Sequence, residues 1–316
     1  MLEIILTDAL LDILCQRMID MTKADKYMYD MIVEIMRRGY KDINPRPKYA
    51  DGTPAHTISI NHTFRTYDLS SGEFPICTLR PQAWKTGIRE IFTIYQKPTN
   101  DIATMHNMGV TWWDEWDIGD GTIGQRYGAT VSRYDLINNL IKDIEKDPYG
   151  RRKIVSLWQE QDLHETPGLA PCAFLTIWNV RGDYLDMMLV QRSGDMLTAS
   201  GPGGINEIQY AALLMMIARH TGYKPGVFSH VVANEQIYDR HMDAAREMMA
   251  RYSARDLEEK YAWDDGYQDD DNAEMFQRPH MDLNPAKTNF YDMTIEDFEL
   301  TGYHPTKPQL KLELGI

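Results

Sequence analysis

The sequence predicts a single α/β domain. Segments with helical spacing and segments with strand alternation follow one another from residue 25 to the C-terminus, with no repeat or low-complexity linker to mark a second domain. One of them, residues 206–222, is apolar on almost every face, as expected of a helix buried at the centre of a core. A hydrophobic content of 43% beside 25% charged residues is enough to fill such a core.

Residues 1–24 form an N-terminal extension. Its start, MLEIILTDALLDILCQRMID, is apolar but carries Glu3, Asp8 and Asp12 and lacks a basic opening, which fits an amphipathic helix or a disordered segment rather than a signal peptide. Residues 25–38 have helical spacing, and Gly39 is a natural stop. A loop punctuated by Pro and Gly, 43–56, leads to an alternating strand at 57–69 that turns at Ser71-Gly72. Helical spacing returns at 82–96, with Ile88, Ile91, Phe92 and Tyr95 on one side and Glu90 off that stripe. Residues 141–158 read as a helix end, a Pro-Tyr-Gly turn and a strand. The strands 173–180 and 184–193 are joined by Arg181-Gly182-Asp183, a tight hairpin signal. The acidic, aromatic stretch 255–282 reads as a surface insertion.

The 33 basic and 47 acidic residues give a formal charge of -14, which argues against a DNA-binding or anionic-membrane surface but leaves room for a small cationic pocket. The three cysteines, Cys15, Cys77 and Cys172, are widely spaced and form no CxxC, so they read as reduced thiols of a cytoplasmic protein. No Cys or His cluster has metal-ligand spacing, and no metal is expected. No apolar run is long enough to span a bilayer.

Cys172 lies where the loop Leu169-Ala170-Pro171 enters an apolar strand. Alone, such a cysteine is more often a small core residue than a nucleophile. The following strand changes that weighting, because it ends in Gln191-Arg192-Ser193-Gly194-Asp195, a polar cluster that an antiparallel neighbour would place beside Cys172. An arginine there favours the thiolate, the nucleophilic form. Arg151-Arg152 opens another strand; with Arg192 and Ser193 it supplies the planar donors and hydroxyl that a phosphate dianion needs.

In order and spacing, Pro171-Cys172, Gln191-Arg192-Ser193-x-Asp195, Asn206 through Tyr210 on one helix and Ile237-Tyr238 resemble the thymidylate synthase family. Trp113-Asp114-Glu115-Trp116, Tyr127-Gly128, Arg151-Arg152 before a hydrophobic strand, Glu90 ahead of a Thr-Asn and the tail GYHPTKPQLKLELGI extend the likeness over residues 25–316. The resemblance implies a catalytic domain built on a large, mainly antiparallel mixed sheet covered by helices, packed sheet to sheet in a homodimer. It implies reductive methylation of dUMP to dTMP with 5,10-methylenetetrahydrofolate as co-substrate, releasing dihydrofolate. Cys172 would add to C6 of uracil, making C5 the carbon nucleophile. Glu90 would organise proton transfers around O4 and C5, Tyr127 would assist, and Asp195 would serve catalysis and the pterin.

The same resemblance assigns the phosphate to Arg192 and Ser193, with Arg151 and Arg152 donated by the partner subunit and Gln191 in the substrate-binding set. Asn206 would pair with N3–H and O4 of uracil, Tyr238 with the sugar hydroxyl. Trp113, Arg80 and the terminal Ile316 carboxylate would serve the folate and the closing tail. The chain departs from the family pattern at Ala173, where His usually follows the cysteine. It departs again at Ala233-Asn234-Glu235-Gln236, in place of Gly-Asp-x-His, so that Gln236 takes the sugar-binding position, and in a Gly-rich connection between Asp195 and Asn206. Arg46 is the favoured N-terminal phosphate ligand, ahead of Lys48. Two alternatives share this fold: a deoxynucleotide hydroxymethylase, in which water replaces hydride, and a catalytically silent nucleotide- or RNA-binding dimer.

Overall fold

The computed structural model describes residues 22–262 and 278–315, without the side chains of residues 256–262. Thr22 caps the first helix, α1 (Lys23–Arg38), by accepting the Asp25 N–H at 3.0 Å. There follow β1 (Tyr40–Lys41), β2 (Thr57–Asp68) and α2 (Trp84–Ile91), which passes directly into a wide π-helical turn, Phe92–Gln96. Three helices, α3 (Ile102–Asn107), α4 (Gly128–Arg133) and α5 (Leu136–Lys146), lead to β3 (Lys153–Ser156) and α6 (Glu160–Glu165). The hairpin β4 (Ala173–Arg181) and β5 (Tyr184–Gln191) precedes the short β6 (Gly194–Asp195) and a second π turn, Met196–Ser200. The chain then forms α7 (Ile205–His220), β7 (Lys224–Tyr238), α8 (Met242–Ala262), β8 (His280–Leu283) and β9 (Phe298–Thr301).

The main sheet has the order β1-β2-β7-β5-β4-β3, with β6 beside β7. Four of its pairings are antiparallel, and β5 and β6 run parallel to β7. It is the mainly antiparallel mixed sheet expected. Its longest strand, β7, is not read as a strand from the sequence, where only residues 233–238 are singled out, yet it pairs with β2, β5 and β6. The parallel pairing of β5 and β7 requires a crossover, and α7 supplies it. The helix starts one residue earlier than its polar pattern suggests, with Gly204 as its cap, so Asn206 sits in the first turn instead of capping it. The 82–96 helix is also split, because its second half widens into the π turn. Of the acidic stretch 255–282, residues up to Ala262 complete α8, His280–Leu283 form β8, and 263–277 lie outside the described residues, as do residues 1–21 of the N-terminal extension.

One face of the sheet is dry. Trp178, Leu185, Met187, Leu189, Phe228 and Val232 pack there beneath α7, whose residues from Ile208 to Ala218 are buried on every side. Buried among these apolar groups is an ion cluster. Arg65 of β2 donates from Nε to Glu207 Oε1 and from Nη1 to Glu235 Oε2, both at 2.6 Å, and all three side chains are fully inaccessible. Its Nη2 donates to the Ser200 carbonyl at 3.1 Å. The cluster ties β2, α7, β7 and the second π turn to one guanidinium. Burial pushes the Glu207 carboxyl up, but Arg65 and His230 outweigh it and hold the group down at about 2.

Removing one partner from such a cluster strands the others in a low-dielectric core. Arg65→Met is therefore expected to lower unfolding stability at pH 7 by about 3–5 kcal/mol, measured by urea denaturation. In the wild-type chain the Glu207 contribution is present above the ordinary glutamate value and is lost as the pH falls toward 2.

Candidate active site

A cavity of about 1030 Å³ opens at the point where both π turns, the loop before β4 and the C-terminal tail converge. Its lining includes Arg46, Arg80, Glu90, Trp113, Tyr127, Cys172, Arg192, Ser193, Asp195, Asn206, Gln236 and Tyr238. These are the residues singled out from the sequence, drawn from positions nearly two hundred residues apart.

The antiparallel register of β4 and β5 brings Cys172 and Arg192 together. The Arg192 N–H donates to the Cys172 carbonyl at 2.9 Å, and Ala173 pairs with Gln191. The guanidinium then folds back over the loop: Nε donates to the Pro171 carbonyl at 3.0 Å, and Nη2 to the Ala170 carbonyl at 2.7 Å and to Cys172 Sγ at 3.4 Å. Nη1 has no bond among the described residues and remains for an anion. Burial pushes the thiol up, and Arg192 pulls it partly back; the balance is a raised value, so the ligand-free site keeps a thiol. The sequence reading weighed only the arginine. Tyr127 completes the wall, with its hydroxyl accepting the Cys172 N–H at 3.4 Å and its ring 5.0 Å from that of Trp113. Tyr127 holds φ at +48°, a strained setting for a side chain of its size. The next residue must be glycine, since a Cβ on Gly128 would lie 2.3 Å from the Thr99 carbonyl oxygen.

Glu90 ends up buried because α2 packs on α7. Trp113 Nε1 donates to Oε1 at 2.5 Å, and the Gln209 amide donates to Oε2. Burial raises the carboxyl to about 7, against the downward pull of these donors and of Trp112. A group poised there is able both to hold and to release a proton near neutrality.

Asp195 accepts from the Thr198 hydroxyl through Oδ2, while Oδ1 is buried without a bond and lies 4.0 Å from His241 Nδ1. Burial raises this carboxyl as well. On the far side of the same imidazole, Nε2 donates to the Glu313 carbonyl at 2.7 Å, and the Tyr238 hydroxyl donates to the Gly315 carbonyl at 3.3 Å. The tail is thus held against the cavity rim. Ile316 lies outside the described residues.

Asn206 joins the floor through its helix register. It accepts from Ser200 Oγ at 2.8 Å and donates to Gln209 Oε1 at 2.9 Å. The Gly-rich connection makes this possible, because Gly203 has φ +64° and a Cβ there would stand 2.2 Å from the Cys77 nitrogen.

Among the described residues, three of the predicted ones are not in the lining. Gln191 is fully buried behind Ser200 and Asn206, and Arg151 and Arg152 are exposed ahead of β3. Gln82, Ser200, Gln209 and His241 were missed. Gln82 lines the cavity with both amide atoms buried and unbonded among the described residues. Only Gln209 had a legible signal, one helical turn beyond Asn206. Among the described residues no group of three or more His, Cys, Asp or Glu is placed to hold a metal ion, and no helix is long and apolar enough to cross a membrane.

The chain as a whole is similar to known enzymes. The family model described as thymidylate synthase matches residues 26–262. A thymidylate synthase of Lactococcus lactis subsp. lactis is 46% identical over 303 residues, which span 94% of this chain and 100% of that protein. One from Streptococcus pneumoniae is 44% identical over the same shares. Among solved structures, the thermostable thymidylate synthase A from Bacillus subtilis has a TM-score of 0.79 and 32% identity, covering 93% of this chain and 99% of that one. By sequence over almost its whole length, and by fold, this chain belongs to the thymidylate synthase family.

Proposed function

We propose that the cavity carries out the reductive methylation of dUMP to dTMP through covalent attack by Cys172. The observation that carries this reading is the thiol lying 3.4 Å from a guanidinium with a free Nη1, in the same cavity as a buried carboxyl poised near 7. The family's reaction uses 5,10-methylenetetrahydrofolate, which supplies the carbon and the hydride when bound and leaves as dihydrofolate. The cavity suits a second, pterin-bearing ligand: Trp112 and Trp116 offer aromatic walls, and Asp195 Oδ1, Gln82 and Arg80 Nε are buried polar atoms without partners among the described residues.

Arg192 and Ser193 bind the phosphate, with Arg46 at the rim. As the Sγ–C6 bond forms, the thiol proton must leave, and the added charge on the ring is delocalised towards O4. Glu90, fixed by Trp113 and Gln209, holds the proton inventory on that side, and Tyr127 stands beside both Cys172 and Trp113 to assist loss of the C5 proton. Asn206 reads the pyrimidine edge, and Gln236 and Tyr238 face the sugar. Asp195 and Trp113 position the pterin.

The second sheet face supports a homodimer. Ile154, Ile177 and Met188 form one cross-strand row, and Leu175, Val190, Val231 and Phe64 another, on the side away from α7. Phe64 and Ile154 are 57% and 54% exposed, which is costly for a sheet facing water. A second copy packed on this face covers both rows, and Arg151 and Arg152, exposed at its edge and outside their own chain's cavity, reach the partner's phosphate site.

Cys172→Ser is expected to lower turnover at least about 10³-fold with an unchanged circular dichroism spectrum; full activity, or hydroxymethylated product without dihydrofolate, would refute the reaction assigned here. Ile154→Asp is expected to shift sedimentation equilibrium from dimer toward monomer and to remove activity although no cavity residue has changed. In ligand-free protein, carbon NMR of labelled glutamate should show Glu90 titrating near 7, and Trp113→Phe should move that titration to higher pH, because it removes a donor to the ionised form.

A further inference from the structure

Behind the cavity floor runs a line of hydrogen bonds whose direction is fixed from the Ser193 end. The Ser193 carbonyl can only accept, so the Gln191 amide nitrogen, 2.8 Å away, must face it. Gln191 Oε1 therefore faces His230 Nε2 at 3.1 Å and takes a proton from it, whether or not the other ring nitrogen is protonated. The second Gln191 N–H points at Ser200 Oγ, at 2.7 Å, with Asn206 Oδ1 a longer acceptor at 3.4 Å. Ser200 has one proton; having accepted from Gln191, it gives that proton to Asn206 Oδ1 at 2.8 Å. Asn206 Nδ2 donates to Gln209 Oε1 at 2.9 Å, and Gln209 donates to Glu90. At this last end Glu90 only accepts once it is ionised, so in the protonated site the direction is set from the Ser193 end. Turning the Asn206 amide round would leave the Ser200 proton without an acceptor and would force the Gln209 oxygen against the carboxylate.

We propose that Ser200 is a specificity-determining positioning residue, which acts through Asn206 by locking its carbonyl toward the Gly-rich connection so that the site accepts uracil and rejects cytosine. The inference rests on the reading above that Asn206 faces the pyrimidine. An amide set this way offers an acceptor to N3–H and a donor to O4; cytosine presents the opposite pair, an acceptor at N3 and a donor at its 4-amino group. The line is well supported for the task. Ser200 is 5% exposed, its carbonyl is held by Arg65 Nη2 at 3.1 Å, and Gln191 and His230 are fully buried. None of these side chains needs to touch the base. Asn206 alone is free to present either edge, and the buried hydroxyl removes that freedom.

The test is a double-mutant cycle read as the ratio of dUMP to dCMP affinity, measured by equilibrium titration of the full-length protein, with thermal melts confirming folding. Ser200→Ala is expected to lower the ratio about tenfold, because the Asn206 carbonyl loses its shortest donor and the amide its strongest orienting bond. In an Asn206→Asp background the same Ser200→Ala change is expected to leave the ratio unmoved, since a carboxylate has two equivalent oxygens and no orientation to lose. A merely structural role for Ser200 would move the ratio equally in both backgrounds, and that result overturns the proposal. So does a wild-type ratio in Ser200→Ala when Asn206→Asp changes it strongly. If Asn206→Asp itself leaves the ratio unchanged, base reading by Asn206 fails and the inference falls with it. Should Ser200→Ala not fold, Ser200→Cys, which keeps the side-chain volume with a weaker donor, must give an intermediate ratio in the Asn206 protein alone.

Discussion

From Glu207 to Ala218 helix α7 has no face open to water, and that constraint organises the molecule. A helix buried on every side must satisfy each of its polar side chains within the protein, since a buried polar group without a partner costs more than the bond itself returns. Its first two turns carry Asn206, Glu207, Gln209 and Tyr210. Glu207 meets Arg65, Gln209 meets Glu90, Asn206 meets Ser200, and the Tyr210 hydroxyl lies 3.1 Å from that of Tyr95. The polar end of the helix therefore anchors the sheet on one side and furnishes the catalytic floor on the other. Core and site are two halves of one packing solution.

Burial also sets the chemical state of the site before any ligand arrives. Cys172, Glu90, Asp195 and Tyr127 are all pushed toward their protonated forms, each chiefly by loss of water. In an acidic protein of formal charge -14, the cavity is thus a region where burial weakens its own acids. A buried, acid-weakened pocket of this kind is the setting that the proposed binding of an anionic nucleotide calls for.

The alternation of β2, the hairpin β4–β5 and the apolar run of α7 were readable because each is a local pattern with its own period. The cavity residues were readable through resemblance, which supplied the roles that spacing alone could not. What stayed hidden depends on distant partners. Nothing local marks 224–238 as the central strand, because its His230 and Glu235 look polar until Arg65 arrives from β2, some 170 residues earlier in the chain. The π turns at 92–96 and 196–200 look like helix and loop, since one extra residue per turn leaves no trace in composition. Gln191 entered the substrate-binding set through the resemblance, together with Arg192 and Ser193, yet strand alternation turns its side chain to the α7 face. His241 lay beyond any motif and matters only because the tail returns to it.

That returning tail is gripped through its peptide carbonyls, at Glu313 by His241 and at Gly315 by Tyr238, while the side-chain link from Arg240 to Glu313 is solvent-exposed and worth little. A clasp of this kind is blind to spelling and sensitive to length. Substitutions at the exposed Lys311 and Glu313 can accumulate without loosening it, while Leu310 and Leu312 are held by packing and the deletion of a single residue shifts every carbonyl out of register with its donor.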